Sequence, residues 1–484
     1  MSAAITSTGR WPTERTTAPS LLGHRAASDT LVLVFFGLFY ANVLVVASQF
    51  YGVPAAVASS AVVVLLVPFL RRVVVHGAPM VFTPTLYAVL LYLAAMLLSA
   101  ATSNATRATL PLIANFALEG LGLYLLVSNA AYDRHRCRRI LGVIVLAAVL
   151  MSVLAIFQEA TRSYDQDFGG FAQVSAGGFE VREESSFVAE LRPRLAGPIG
   201  EQNRFAQILL VAAPFAYFGA RAARRPLQRR AAQAAAATIL CGVLVTFSRG
   251  AAVALAGLMT LLVVHRFARL RHLVAIALAF VLAIAVVAPD YSQRLLSLTA
   301  VTTVNDPTSR EADGAIRGRA GELLGAWNTF TARPITGVGP GRYFRDHSQI
   351  EANKLPYRRL DTNRRAHNLY AEILADLGLI GFGAFAAANV ATIVGLIHAR
   401  RRWCGVDPER ENLAAALLFG LYAYLLTGMF LQLSYQRYYW VLLALANAGV
   451  WSLRTSTDGS ADPSDRRSTA PRDAASLHGR LLNG

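Results

Sequence analysis

A chain of 484 residues that is 55% hydrophobic and only 15% charged has too little polar surface for an ordinary soluble domain, and the balance fits a polytopic membrane protein. Its formal net charge of +17 is almost all arginine, with Lys354 the single lysine, and the charges fall in short clusters between apolar runs. That placement follows membrane topology rather than nucleic-acid binding, so no nucleic-acid partner is expected. Cys137, Cys241 and Cys404 have neither metal-ligand nor disulfide-framework spacing.

Residues 1–29 read as a disordered cytoplasmic tail, too long for the n-region of a cleavable signal, so the first apolar run is expected to be a retained anchor. At about 20 apolar residues per span, candidates fall at 30–50, 52–70, 81–101, 108–128, 140–160, 204–220, 231–248, 250–265, 272–289, 368–397, 412–431 and 437–453, twelve in all. The run 52–70 is Ala/Ser-rich, and 250–265 is short. The expected domain is an all-α membrane domain over 30–454, followed by a second disordered tail over 455–484. No internal repeat suggests inverted transporter halves.

The arginines orient these spans. Arg71-Arg72, Arg134 to Arg139, Arg221 to Arg230, Arg266 to Arg271 and Arg400 to Arg402 occupy alternate connections, while the short connections between them are nearly bare. By the positive-inside rule both termini are cytoplasmic, and the loops 161–203 and 290–367 lie on the outer side. All three cysteines then lie inside or in the membrane, so no outer disulfide is expected. In the larger loop, Leu323, Leu324, Trp327 and Phe330 recur at helical spacing between Arg319 and Thr331, predicting an amphipathic helix on the membrane surface. Pro334 and Gly337-Val-Gly-Pro-Gly341 should end it and reverse the chain. The glycines do not form a dinucleotide fingerprint, because their spacing is wrong and no strand precedes them.

Four places carry residues suited to chemistry: Arg194 to Asn203, Ser248-Arg249-Gly250, Arg317-Gly-Arg319 and Ala366-His367-Asn368-Leu-Tyr370. Arg249 is the most unusual, since an arginine at helix centre costs on the order of 2.5–3.5 kcal/mol on insertion scales and this one sits where arginine is disfavoured. It either snorkels to headgroups from a tight turn or serves a ligand. Arg194 and Arg319 have solvation as their simpler reading. His367 is either a helix-start residue beside Asn368 or a general base, its unperturbed pKa near 6.5 suiting proton transfer at neutral pH. Converging arginines would hold a lipid-linked pyrophosphate and stabilise it as a leaving group. No compact Asp/Glu or His/Cys set suggests a metal, so no cofactor is expected.

From about Leu191 to Trp440 the order of these pieces resembles the O-antigen ligase and polysaccharide polymerase superfamily of membrane glycosyltransferases. The pieces are Arg194…Gly197…Asn203, then Ser248-Arg-Gly250, then Arg319 about fifteen residues before Pro334-Ile-Thr-Gly-Val-Gly339. His367-Asn-Leu-Tyr370 and Leu377-Gly-Leu-Ile-Gly381 follow, and Arg437-Tyr-Tyr-Trp440 matches the family's ending without a role attached. The first four spans carry no matching motif. The resemblance implies a GT-C-like fold of about twelve transmembrane helices, with short amphipathic helices in a large periplasmic loop. It also implies inverting, metal-independent transfer of a glycan from undecaprenyl pyrophosphate to a sugar hydroxyl, at the periplasmic face of a bacterial inner membrane. His367 would activate the acceptor, and Arg249, Arg319, Arg194 and, in a register shifted by two, Arg317 would contact the pyrophosphate. The acceptor would be lipid A core for a ligase or a second lipid-linked glycan for a polymerase. A polysaccharide transporter or flippase is the alternative of another class, and the few intramembrane carboxylates, Glu119, Glu159, Glu372 and Asp376, argue against it.

Overall fold

In lipid, backbone N–H and C=O groups find no water, so apolar runs close their hydrogen bonds internally as helices. The computed structural model describes residues 19–54, 61–103, 106–181, 190–269, 271, 314–354, 363–432 and 436–455, and most of these are helical. α1 (Pro19–Tyr40) begins ahead of the expected residue 30 and breaks at Asn42, whose φ is 57°. It continues as α2 (Val43–Phe50), the two bent by 57°. α3 (Leu66–Leu70) lies between the 3-10 turn Ala61–Leu65 and the π-helical turn Arg71–Val75. α4 (Pro84–Thr102), α5 (Thr106–Ala130, π-helical over Phe116–Gly122) and α6 (Arg134–Thr161) follow. After a hairpin of β1 (Gln173–Val181) and β2 (Glu190–Gly197) come α7 (Gln202–Ala222), α8 (Pro226–Leu244) and α9 (Arg249–Val264). The C-terminal part holds α10 (Gly314–Ala332), α11 (Ser348–Asn353), α12 (Leu369–Trp403), α13 (Pro408–Gly428) and α14 (Gln436–Thr455).

One expectation is not confirmed and another is corrected. Among the described residues five helices, α4 to α6, α7 and α12, are long and apolar enough to cross a membrane, and the bent α1–α2 pair makes a sixth, so the twelve expected spans are not confirmed. The span expected at 272–289 lies outside the described residues, and of the one at 52–70 the described part 61–70 is a 3-10 turn followed by the short helix α3. The correction is to the all-α fold, because the loop 161–203 carries an antiparallel hairpin pairing Val174 with Leu195 and Ser175 with Arg194. Alternation of Leu191, Pro193 and Leu195 with Arg192 and Arg194 is a strand period inside a segment that the search for long apolar runs passed over.

Helices α13 and α14 are less apolar because they face protein rather than lipid. Leu417, Leu418 and Phe419 on α13, which packs on α7, and Tyr439, Trp440 and Leu443 on α14 are fully buried. Trp440 meets Tyr439 and Phe116 edge-on, with ring centroids 4.7 and 5.1 Å away. The lipid-facing role passes to α4 and α6, where Leu91, Leu97, Leu146 and Leu150 are exposed.

The bundle has two unlike ends. At one end Arg136 and Arg139 pair with Asp29, Arg138 with Glu409, and Arg400 with Glu411 and the His265 carbonyl. At the other end lie the start of α7, the start of α9, the start of α12 and the turn between α13 and α14. Each of those three helices opens on a motif residue as N-cap: Glu201, Ser248 and Asn368, whose side chains accept from the first backbone N–H groups. The motifs therefore sit together because they start helices that run the same way.

Candidate active site

Asn203 joins the first two motifs. Its side-chain oxygen accepts from Arg194 Nη2 at 3.3 Å and from Ser248 Oγ at 2.9 Å, while its Nδ2 donates to Glu201 at 2.8 Å. Arg194, on β2, is buried, and so is Arg249, the first residue of α9. Two buried arginines at the end of the bundle where three helices start give it a positive character suited to an anion. Arg204, one residue past Asn203, is 1% exposed and donates to Gln207 and to the Gln432 carbonyl.

The turn after α13 ties this half to His367. A Cβ at Gly250 would stand 2.8 Å from Phe430, so the turn lies directly on the Ser248-Arg-Gly250 segment. The Met429 carbonyl accepts from Asn368 Nδ2 at 3.1 Å. Thus residues 429–432 touch Arg204, Gly250 and Asn368, three places far apart in sequence.

His367 has φ 46°, a left-handed backbone uncommon outside glycine. Among the described residues its imidazole makes both hydrogen bonds through Nδ1, to Glu322 Oε2 at 2.7 Å and to the Arg365 carbonyl at 3.1 Å. Glu322 is 2% exposed, and Arg364 lies 3.9 Å from its other oxygen. It sits on α10 three residues after Arg319, hence on the same helical face. Arg319 is half-buried; Arg317 belongs to the same helix, and its side chain lies outside the described residues. The expected apolar stripe of α10 points outward, with Leu323 and Trp327 exposed, while the small residues Gly321 and Ala326 are buried beside Glu322. The Tyr343 hydroxyl donates to the Glu322 carbonyl at 2.7 Å; burial, and after it the charge of Glu322, pushes this phenol well above its ordinary pKa, so it remains a donor.

The glycine turn does more than stop a helix. Val338 N and Gly339 N donate to the carbonyls of Ala375 and Asp376, and Leu379 N and Ile380 N donate back to Pro334 and Ile335. This exchange fits into a break in α12 at Gly378, where φ is 62° and ψ −162°. Asp376 secures the loop by accepting from Gly341 N and Tyr343 N, both at 2.9 Å. The segments 334–339 and 377–381 are thus one joint, which aims the residues after α10 at the start of α12.

Sequence reasoning singled out His367, Arg249, Arg319 and Arg194 and missed Glu322, Arg204 and the turn 429–432. The structure joins Arg194 to the Ser248-Arg249 segment through Asn203, and puts Arg319 on the helical face of Glu322, which pairs with His367. The available signal for Glu322 was its place among Gly321, Gly325 and Ala326, a small-residue face that favours close packing.

A helical bundle with apolar spans and a histidine–carboxylate pair at the end where three helices start defines a multi-pass membrane protein with a candidate catalytic end. Residues 234–386 match the family described as O-Antigen ligase, which supports a likeness to the O-antigen ligase superfamily over that part of the chain. The match includes Arg249, Glu322 and His367 and leaves Arg194 and Arg204 outside. No curated protein matches the chain.

Proposed function

We propose that this protein is a membrane glycosyltransferase that moves a glycan from undecaprenyl pyrophosphate to a sugar hydroxyl, with inversion and without a metal, as an O-antigen ligase. The observation that carries the reading is the 2.7 Å contact between His367 Nδ1 and the buried carboxylate of Glu322. A carboxylate on Nδ1 holds the ring in the tautomer with a proton there and leaves Nε2 as the basic nitrogen. Nε2 takes the proton from the acceptor hydroxyl as its oxygen attacks the anomeric carbon. The bond from that carbon to the phosphate oxygen breaks, and undecaprenyl pyrophosphate leaves with the electron pair. Arg249 and Arg319, with Arg194 and Arg317 as further contacts, balance the charge that grows on the leaving group.

A polymerase joining lipid-linked repeats would use the same steps with a second lipid-linked glycan as acceptor. Its position opposite the arginine-rich end of the bundle supports a periplasmic site by the positive-inside rule.

The test is His367→Ala in a cell that still delivers the lipid-linked precursor to the outer face. Glycan transfer should fall by about 10²–10⁴-fold, the usual contribution of a general base. Unchanged transfer would remove His367 from the reaction. Arg249→Lys, which keeps charge but loses the fork, should weaken undecaprenyl pyrophosphate binding about tenfold.

A further inference from the structure

A cavity of about 380 Å³ opens beside this site, bounded by α4, α5, α12, the loop after α10 and the first turn of α14. That is within the size range of small-molecule sites. Its polar wall includes Glu119, Arg345, Arg365, Glu372 and Arg437, and Phe344 supplies an aromatic face. None of these residues belongs to the four motif places; Arg437 opens the Arg437-Tyr-Tyr-Trp440 stretch, to which no role was attached.

Three observations make it a binding site rather than a packing gap. Glu372 is 5% exposed, and its Oε1 accepts from Arg365 at 2.7 Å, yet its Oε2 is buried with no hydrogen-bond partner. An orphaned carboxylate oxygen deep in a wall calls for a donor. Secondly, Glu119 reaches the cavity from the π-helical segment Phe116–Gly122 inside an otherwise α-helical span, and π-bulges concentrate at functional sites. Thirdly, Arg365 lies 4.7 Å over the Phe344 ring, fixed between that face and Glu372, two residues before His367.

The charges select the ligand class. Three carboxylates, counting Asp376, face three arginines, so neither a phosphate nor a cation is favoured overall. A hydroxyl both donates to a carboxylate and accepts from a guanidinium, and a pyranose adds an apolar face for Phe344. We infer that this cavity binds a neutral, hydroxyl-rich pyranose unit of the acceptor glycan and so presents the acceptor to His367. This rests on the glycosyltransferase reading above.

The full chain in nanodiscs, probed with methyl gluco-, galacto-, manno- and rhamnopyranosides by saturation-transfer NMR, tests the inference. At least one should bind, and Glu372→Gln and, on a separate helix, Glu119→Ala should each weaken it by roughly tenfold or more, the loss expected for one charge-assisted hydrogen bond. Absence of binding by all four pyranosides, or binding unchanged in both variants, overturns the inference. Should Glu372→Gln lower the melting temperature, Glu119→Ala alone decides between these outcomes. Undecaprenyl pyrophosphate binding to the same nanodiscs is measured in parallel. If the lipid binds and the pyranosides do not, only the subsite fails; if the pyranosides bind and the lipid does not, the subsite stands and the donor assignment fails.

Discussion

The buried Glu322 carboxylate is explained by what it holds. A carboxyl this enclosed is costly unless paired, and its partners are the imidazole of His367 and, at 3.9 Å, Arg364. Glu322→Gln retains an oxygen for the Nδ1 proton but not the charge that stabilises the imidazolium. We expect turnover to fall by roughly 10²-fold or more with KM for the lipid-linked donor little changed, measured with purified donor and acceptor. A fall in melting temperature with unchanged turnover per folded enzyme would make Glu322 structural only. His367 and Arg249 were legible in the sequence because each stands out from its surroundings, a titratable ring at a span boundary and a cation between two apolar runs. Glu322 was not, since its partner lies 45 positions away and a single acid on an amphipathic helix looks solvated. That the apolar stripe of α10 faces outward and its small residues inward is a tertiary fact.

At the scale of elements, the joint between 334–339 and the break in α12 decides where His367 can stand. The sequence marks both halves with glycine, but hydropathy reads 368–397 as one span and the glycine run as a helix stop, because neither shows that they exchange hydrogen bonds. A Cβ at Gly337 would meet the Asp376 carbonyl at 2.4 Å, and one at Gly378 would meet the Ile335 oxygen at 2.4 Å, both at positive φ. These contacts are backbone, which cannot swing aside as a side chain can. Gly378→Ala and Gly337→Ala should each destabilise the protein by about 1–3 kcal/mol, read as a drop in melting temperature in detergent. Gly383→Ala, two residues past the joint's last glycine and with open space at its Cβ, should leave it unchanged. Equal melting of all three would mean that the joint is not held in this form. The hairpin β1–β2 was missed for another reason: membrane-span reading looks for long apolar runs, and a short strand with alternating arginines falls below its threshold.

At the scale of the molecule, helix direction brings the chemistry to one end. Helices α7, α9 and α12 begin there and α13 ends there, so three N-termini and the arginines beside them share one surface while the carboxylates go to other tasks. Asp376 accepts two backbone N–H groups, Glu322 holds His367, Glu372 pairs with Arg365, and Asp346 pairs with Arg342 at 2.7 Å. Among the described residues no group of three His, Cys, Asp or Glu side chains converges as metal ligands would; Asp361 lies outside them. In the proposed reaction the charge on a leaving pyrophosphate would fall to guanidinium groups, which need no proton or ion to remain positive. Glycan transfer should accordingly persist in excess EDTA and be insensitive to added Mg²⁺ or Mn²⁺. The assay is transfer from purified lipid-linked donor before and after chelation, with divalent ions restored. Loss of activity on chelation, recovered with a divalent ion, would assign a carboxylate such as Asp346 or Asp361 to a metal and shift the leaving-group role away from Arg249 and Arg319.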